Sequence, residues 1–97
     1  MLNPLVEAAL DNDFARIARN MEYVGQQTVD GLSSLMVAAR QGCVEGVLLL
    51  ANQEVGLQDA QGNSALMHAV RGGCAEAVRV LAKAEAGLVN KNGETAL

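Results

Sequence analysis

The chain has 97 residues, of which 51% are apolar and 19% are charged, a composition typical of one small globular domain. Its net charge of −4 and its singly scattered basic residues argue against binding to nucleic acids or anionic membranes. Apolar runs such as residues 47–51 are far too short to span a bilayer, and residues 1–7 lack the pattern of a signal peptide. We therefore expect a cytoplasmic protein.

Residues 3–22 are predicted to form two short helices joined by a tight turn. Asn3 and Asp13 are favourable N-cap residues, and Pro4 fits the first position of a helix. The apolar side chains recur at helical spacing: Leu5, Ala8, Ala9, Phe14, Ile17 and Met21. The segment LVEAA at 5–9 matches LMVAA at 35–39, so residues 1–29 are interpreted as a degenerate first repeat.

Residues 31–60 and 62–91 are two copies of one pattern, shifted by 31 positions, and half of the aligned positions are identical. A fixed period of this size indicates one supersecondary unit that is copied and stacked. We divide the chain into repeats at 30–60 and 61–91 and the start of a third at 92–97. Together with residues 1–29 they form a single domain, residues 1–97.

Each full repeat predicts two helices and a turn. Ser33 is a suitable N-cap for a helix over 34–41, Gly42 ends it, and a second helix over 44–52 follows. The side chains expected to face inward are Leu35, Ala38, Ala39, Val44, Val47, Leu50 and Ala51, and in the next repeat Leu66, Ala69, Val70, Ala75, Val78, Leu81 and Ala82. Asp-Gly at 30–31 and Asn-Gly at 92–93 favour β-turn tips with little or no paired strand.

Residues 62–69, GNSALMHA, with Gly73 following, resemble the ankyrin repeat pattern Gly-x-Thr-Pro-Leu-His-x-Ala. Asp59 and Asn90 stand three residues before a glycine, as in the family's Asp-x-x-Gly turn. The resemblance covers residues 28–97 well and 3–29 loosely. Proline and histidine of the family pattern are replaced, and the period is shorter than usual. This Ser/Thr-Ala-Leu-Met variant is similar to the short repeats of large protist ankyrin proteins. Tetratricopeptide repeats have a longer period and lack such a turn.

The resemblance implies an all-α solenoid of stacked helix–turn–helix repeats with short β-turn tips. It also implies a non-enzymatic protein–protein interaction module, whose partner meets the turn tips and the concave face of the first helices. An alternative is a targeting or regulatory segment of a larger multidomain protein such as a kinase. The partner-binding residues carried over by position are Val29, Asp30, Leu32, Arg40, Gln41, Ala60, Gln61, Asn63, Arg71, Gly72, Lys91, Asn92 and Glu94.

The residue types associated with catalysis are better explained structurally, so no catalytic, cofactor-binding or metal residue is predicted. Cys43 and Cys74 recur one repeat apart, about 10 Å in stacked helices, whereas a disulfide needs Cα atoms within about 7 Å. We interpret them as structural thiols. His68 is the only histidine, and we expect it to form a surface or inter-repeat hydrogen bond.

Two other recurring residue types also have a structural interpretation. Four glutamates recur at the repeat period and are expected on a solvated face or at the start of second helices: Glu45, Glu54, Glu76 and Glu85. Gly72 and Gly73 are interpreted as turn and cap glycines, because no phosphate-loop motif accompanies them.

The third repeat stops after its first residues, so the apolar side of residues 62–87 is expected to lack a covering layer. We expect this face to include parts of Leu66, Val70, Val78 and Leu81. The sequence is therefore expected to be the N-terminal piece of a longer array, a truncated product, or a protein that covers the face by self-association.

Overall fold

The computed structural model describes residues 2–96, which form an all-α repeat fold. Its elements are α1 (Pro4–Leu10), α2 (Phe14–Arg19), a 3₁₀ turn (Met21–Tyr23), α3 (Ser34–Gln41), α4 (Val44–Glu54), α5 (Ala65–Gly72) and α6 (Ala75–Glu85). Helix α3 lies between α1 and α5, and α4 packs against α2 and α6. The first helices therefore form one layer and the second helices form another.

The predicted N-caps begin the helices. The Asn3 side chain accepts a hydrogen bond from the backbone N–H of Val6, and Asp13 accepts one from Arg16. Ser33 caps α3 by accepting from the backbone N–H of Met36 at 3.2 Å, and Ser64 caps α5 in the same way. Each cap satisfies an N–H that has no partner inside its helix.

Two helix ends differ from the prediction. Helix α2 ends at Arg19, so Met21 lies in the 3₁₀ turn instead of on α2. The cause is Asn20. Its side-chain amide donates to the carbonyl oxygen of Arg16, while its backbone N–H donates to the carbonyl oxygen of Ile17. Helix α4 continues to Glu54, two residues beyond the predicted end.

The turn tips stack through backbone hydrogen bonds. The backbone N–H of Ala60 donates to the carbonyl of Asp30, and the N–H of Lys91 donates to Gln61 one repeat later. Gly31 is required here: its φ is +82°, and a Cβ atom would lie 2.8 Å from the Ala60 nitrogen. Among the described residues the only strand-like pairing is an isolated bridge between Gln58 and Ser64, so the prediction of turn tips without a sheet is confirmed.

The core consists of thin layers of small and medium side chains between the helices. Leu35, Leu50, Leu66 and Leu81 are almost fully buried in it. The expectation that Leu66 and Leu81 contribute to an open face was therefore wrong, because both belong to the shared core.

The exposed apolar surface of the last full repeat is formed in part by other residues than predicted. Val70, predicted to face inward, is 40% exposed, Ala75 is exposed, and Val78 is half-buried. With Gly73 they line a shallow apolar depression, which we call the open face. It consists of the side chains on the far side of α5 and α6. Among residues 2–96, every helix is too short or too polar to cross a membrane.

Candidate functional site

A groove runs between the turn tips and the first helices of the two full repeats. It is a depression of about 340 Å³, and we call it the tip–helix groove; its lining residues are Asp30, Leu32, Arg40, Asp59, Gln61, Asn63, His68 and Arg71. The stacked turns contribute the tip residues of the groove, α3 contributes Arg40, and α5 contributes His68 and Arg71. The groove therefore spans the boundary between two repeats.

The structure brings six of the thirteen carried-over residues into this groove: Asp30, Leu32, Arg40, Gln61, Asn63 and Arg71. Val29, which is 97% exposed, lies at the tips outside it, as do Ala60, Lys91 and Asn92. Gln41 lines a neighbouring depression, and Glu94 lines another beside the third tip. Most of the predicted surface is thus accessible.

Two of the carried-over residues have structural roles that the repeat pattern did not indicate. Asn63 is only 5% exposed, and its side-chain oxygen accepts a hydrogen bond from the Asn90 amide, which links two tips. Gly72 is the last residue of α5 and packs against the backbone of Arg40, so it is not the turn glycine that the sequence suggested. Gly73, in the left-handed conformation, is the cap.

A buried acid–base pair forms the floor of the groove. The Nε2 atom of His68 lies 3.0 Å from Oδ2 of Asp59, and each side chain is only 4% exposed. The other Asp59 oxygen accepts from the backbone N–H groups of Gln61 and Asn63, each at 2.9 Å. This pair confirms the expectation of a hydrogen-bonding histidine and places it inside the fold.

The pairing could have been found from the sequence. One repeat period earlier, 31 positions before His68 and Asp59, the chain has Val37 and Thr28, so both positions of the pair differ between the two copies. A polar residue that appears on a buried position needs a partner, and a second substitution nine residues away, at the end of the adjacent repeat, was the signal.

The electrostatics of the pair favour a neutral histidine bonded to an ionised aspartate. Burial lowers the pKa of His68, and the nearby positive charges of Arg40 and Arg71 lower it further, against the opposing effect of Asp59. Burial raises the pKa of Asp59, but hydrogen bonds from Asn63, His68 and Gln61 outweigh it, so that pKa lies below its ordinary value. The Nε2–H group of His68 then donates to the carboxylate.

This arrangement predicts a loss of stability on mild acidification. Since the pKa of His68 is lower in the folded state, the unfolded chain binds more protons as pH falls below about 6.5, and the free energy of unfolding decreases. Asp59 adds a further loss only at pH values below its ordinary pKa. Urea unfolding between pH 7.5 and 5.5 measures the effect. We expect His68→Val to be less stable at pH 7.5, because the buried Asp59 carboxylate loses its Nε2–H donor, and to show a flatter pH dependence; an equal slope in both proteins would contradict the assignment.

The recurring glutamates divide into two kinds. Glu45 and Glu76 are exposed near the starts of α4 and α6, as expected. Glu54 and Glu85 are 1% and 0% exposed, so the prediction of a solvated face was wrong for these two.

Each buried carboxylate joins three parts of the stack. Glu54 Oε1 accepts from the Ser34 hydroxyl and the Leu35 backbone N–H, at 2.8 and 2.7 Å, and Oε2 accepts from Gly25 at 2.8 Å. Glu85 binds the backbone N–H groups of Leu66 and Gly56 in the same manner. The unpaired N–H groups at the start of a helix favour a negative charge, so these bonds offset the cost of burying it. We call the two arrangements the glutamate clamps.

The cysteines lie one repeat apart at the N-cap positions of α4 and α6. Cys43 is buried, Cys74 is half-buried, and both are free thiols. Neither lines the tip–helix groove.

Stacked helix pairs, with a groove between the turn tips and the first helices, define a helical repeat protein of the solenoid class. The family described as "Ankyrin repeats (3 copies)" matches residues 35–97, which is more than half of the chain. The chain belongs to the ankyrin repeat family. Ankyrin repeats are generally protein–protein interaction modules and are generally not enzymes. A search of curated proteins found no match.

Proposed function

We propose that this chain is a non-enzymatic module that binds a partner protein through its turn tips and the concave face of its first helices. The tip–helix groove is the observation that carries the proposal, since it joins accessible side chains from two repeats into one concave surface. Concave surfaces of stacked repeats are suited to binding extended partners. In this proposal the module acts in the cytoplasm without a cofactor, and its partner is neither nucleic acid nor membrane.

The groove is held in shape by the fold. The tips are joined by backbone hydrogen bonds, and the first helices pack closely where Gly72 meets Arg40. A preformed surface avoids the entropic cost of ordering its own residues when it binds. The pair that could take part in acid–base chemistry, Asp59 and His68, is buried and bonded internally.

A random peptide-display library tests the proposal without assuming the chemistry of the partner. Peptides selected on the immobilised chain are expected to bind at least about tenfold more weakly to Gln61→Trp, because the indole fills the groove. The matched control is Gln53→Trp, which places the same side chain on the exposed surface of α4. Failure to select peptides, or equal affinity for both variants, would refute the proposed surface.

Self-association is a second proposal, supported by the exposed apolar side chains of the open face, Val70, Ala75 and Val78. Light scattering on the same samples, over a range of concentrations, measures it. Peptide binding to the groove remains the expected activity whichever mass is found, since the open face and the groove have different linings.

A further inference from the structure

Two arginines stand one repeat apart in the tip–helix groove. Arg40 and Arg71 occupy equivalent positions in the last turns of α3 and α5, and both are exposed. Within residues 2–96, neither guanidinium takes part in an ion pair or hydrogen bond, whereas Arg16 is paired with Asp11 at 2.7 Å. Their donors are therefore free to meet a ligand.

The acidic residues of the groove leave these two charges available. Asp59 is buried, and its oxygens already accept bonds from His68, Gln61 and Asn63. Asp30 is an exposed tip residue, and within residues 2–96 it forms no salt bridge with either arginine. The last turns of α3 and α5 thus contribute two positive charges without an acidic partner to the groove, in a protein whose net charge is −4.

An apolar depression adjoins the positive side. It has a volume of about 140 Å³, and its lining residues are Leu10, Leu32, Met36, Val37, Arg40, Gln41 and His68. Of these, Leu32, Arg40 and His68 also line the groove. Leu10 is 49% exposed although it is apolar. An apolar side chain of a ligand could be buried here while a neighbouring acidic side chain meets Arg40.

We propose that the tip–helix groove binds an acidic, extended segment of a partner protein, with carboxylates on Arg40 and Arg71 and an apolar side chain in the depression beside Leu10. This inference rests on the proposed function and adds the chemistry of the partner. Guanidinium groups pair with carboxylates through parallel hydrogen bonds, which gives geometric selectivity.

The repeat spacing sets the spacing of the carboxylates. Packed helices lie about 8–10 Å apart, and a polyproline II segment advances about 9 Å in three residues with side chains returning to the same side. Acidic residues at positions i and i+3 of such a segment match the two arginines.

The probe is a fluorescein-labelled peptide with the central sequence Leu-Pro-Pro-Glu-Pro-Pro-Glu, and the matched control peptide has glutamine in place of both glutamates. Fluorescence anisotropy at low ionic strength is expected to give at least about tenfold tighter binding of the glutamate peptide. Arg40→Gln combined with Arg71→Gln should remove this difference, as should high salt. Arg19→Gln, an exposed arginine on α2, should leave it unchanged.

A purely structural role for the arginines makes a different prediction. Positive charges in the last turn of a helix stabilise its C-terminus, and such a role would lower the melting temperature of the double variant without changing peptide discrimination. That result would overturn the inference, and so would no binding of the glutamate peptide at millimolar concentration. If library peptides lose affinity for Gln61→Trp but are not acidic, the proposed function stands and only the acidic partner is refuted.

Discussion

Replacing Glu54 by alanine is expected to lower the free energy of unfolding by at least about 2 kcal/mol, because the Ser34 hydroxyl and the Leu35 N–H are buried and each buried polar group left without its partner costs about 1–3 kcal/mol. The change removes the acceptor of the Ser34 hydroxyl and of the Leu35 and Gly25 N–H groups. For a domain of this size the melting temperature should fall by at least about 8 °C. Thermal unfolding followed by circular dichroism measures it.

The second glutamate clamp provides a graded comparison. Glu85→Ala should destabilise less than Glu54→Ala, because Ala65 stands where Ser34 provides a hydroxyl and only two donors lose their acceptor. Glu45→Ala, at an exposed position on α4, is the matched control and should change the free energy of unfolding by about 0.5 kcal/mol or less. Equal melting temperatures for the Glu54 and Glu45 variants would show that the clamps contribute nothing.

A glutamine variant tests the role of the carboxylate while it keeps the size and shape of the side chain. Glu54→Gln keeps one oxygen acceptor for Leu35 and Ser34, but its NH₂ group would face the N–H of Gly25, which is also a donor. Its stability should lie between those of the wild-type protein and Glu54→Ala.

Replacing Gly72 by alanine is expected to push α3 and α5 apart. A Cβ atom there would overlap the carbonyl oxygen of Arg40 and lie 3.0 Å from its carbonyl carbon. Since these are backbone atoms, the helices must move, and overpacking of this kind costs about 1–3 kcal/mol. Denaturant unfolding should show a lower midpoint, and binding to the tip–helix groove should weaken, because Arg40 and Arg71 lie on the two displaced helices.

Gly87→Ala is the control for that experiment. No atom lies within 4 Å of a Cβ at Gly87, and its φ is outside the positive range, so alanine should be neutral or stabilising by up to about 1 kcal/mol. If Gly72→Ala proved as stable as Gly87→Ala, close packing of α3 on α5 would not limit the spacing of the repeats.

The sequence predicted the features that depend on neighbouring residues. Ser33 begins α3 and Gly42 ends it because a cap interacts with atoms only a few positions away. The predictions failed where a residue interacts with atoms that are distant in the sequence. The end of α4 at Glu54 was not predicted, because the carboxylate oxygens of Glu54 accept hydrogen bonds from donors 19, 20 and 29 residues away.

The features of the candidate site also separate into those that the sequence predicted and those that depend on distant contacts. The repeat pattern placed Arg40 and Arg71 at equivalent positions, and the ankyrin resemblance assigned them to one surface. The burial of Asn63 and the contact of Gly72 with Arg40 depend on how closely adjacent repeats approach, which a period in the sequence does not report.

The sequence by itself determined the repeat, its 31-residue period, the helix starts and the turn tips, since these follow from local capping, turn chemistry and side-chain spacing. Only the tertiary structure decided which recurring polar side chains are buried. Glu45 and Glu54 recur equally well, yet one is solvated and the other clamps two repeats. A residue that recurs at the repeat period has an equivalent position in each repeat. Only the packing of the repeats against each other determines whether its side chain bonds to water or to the backbone of another repeat.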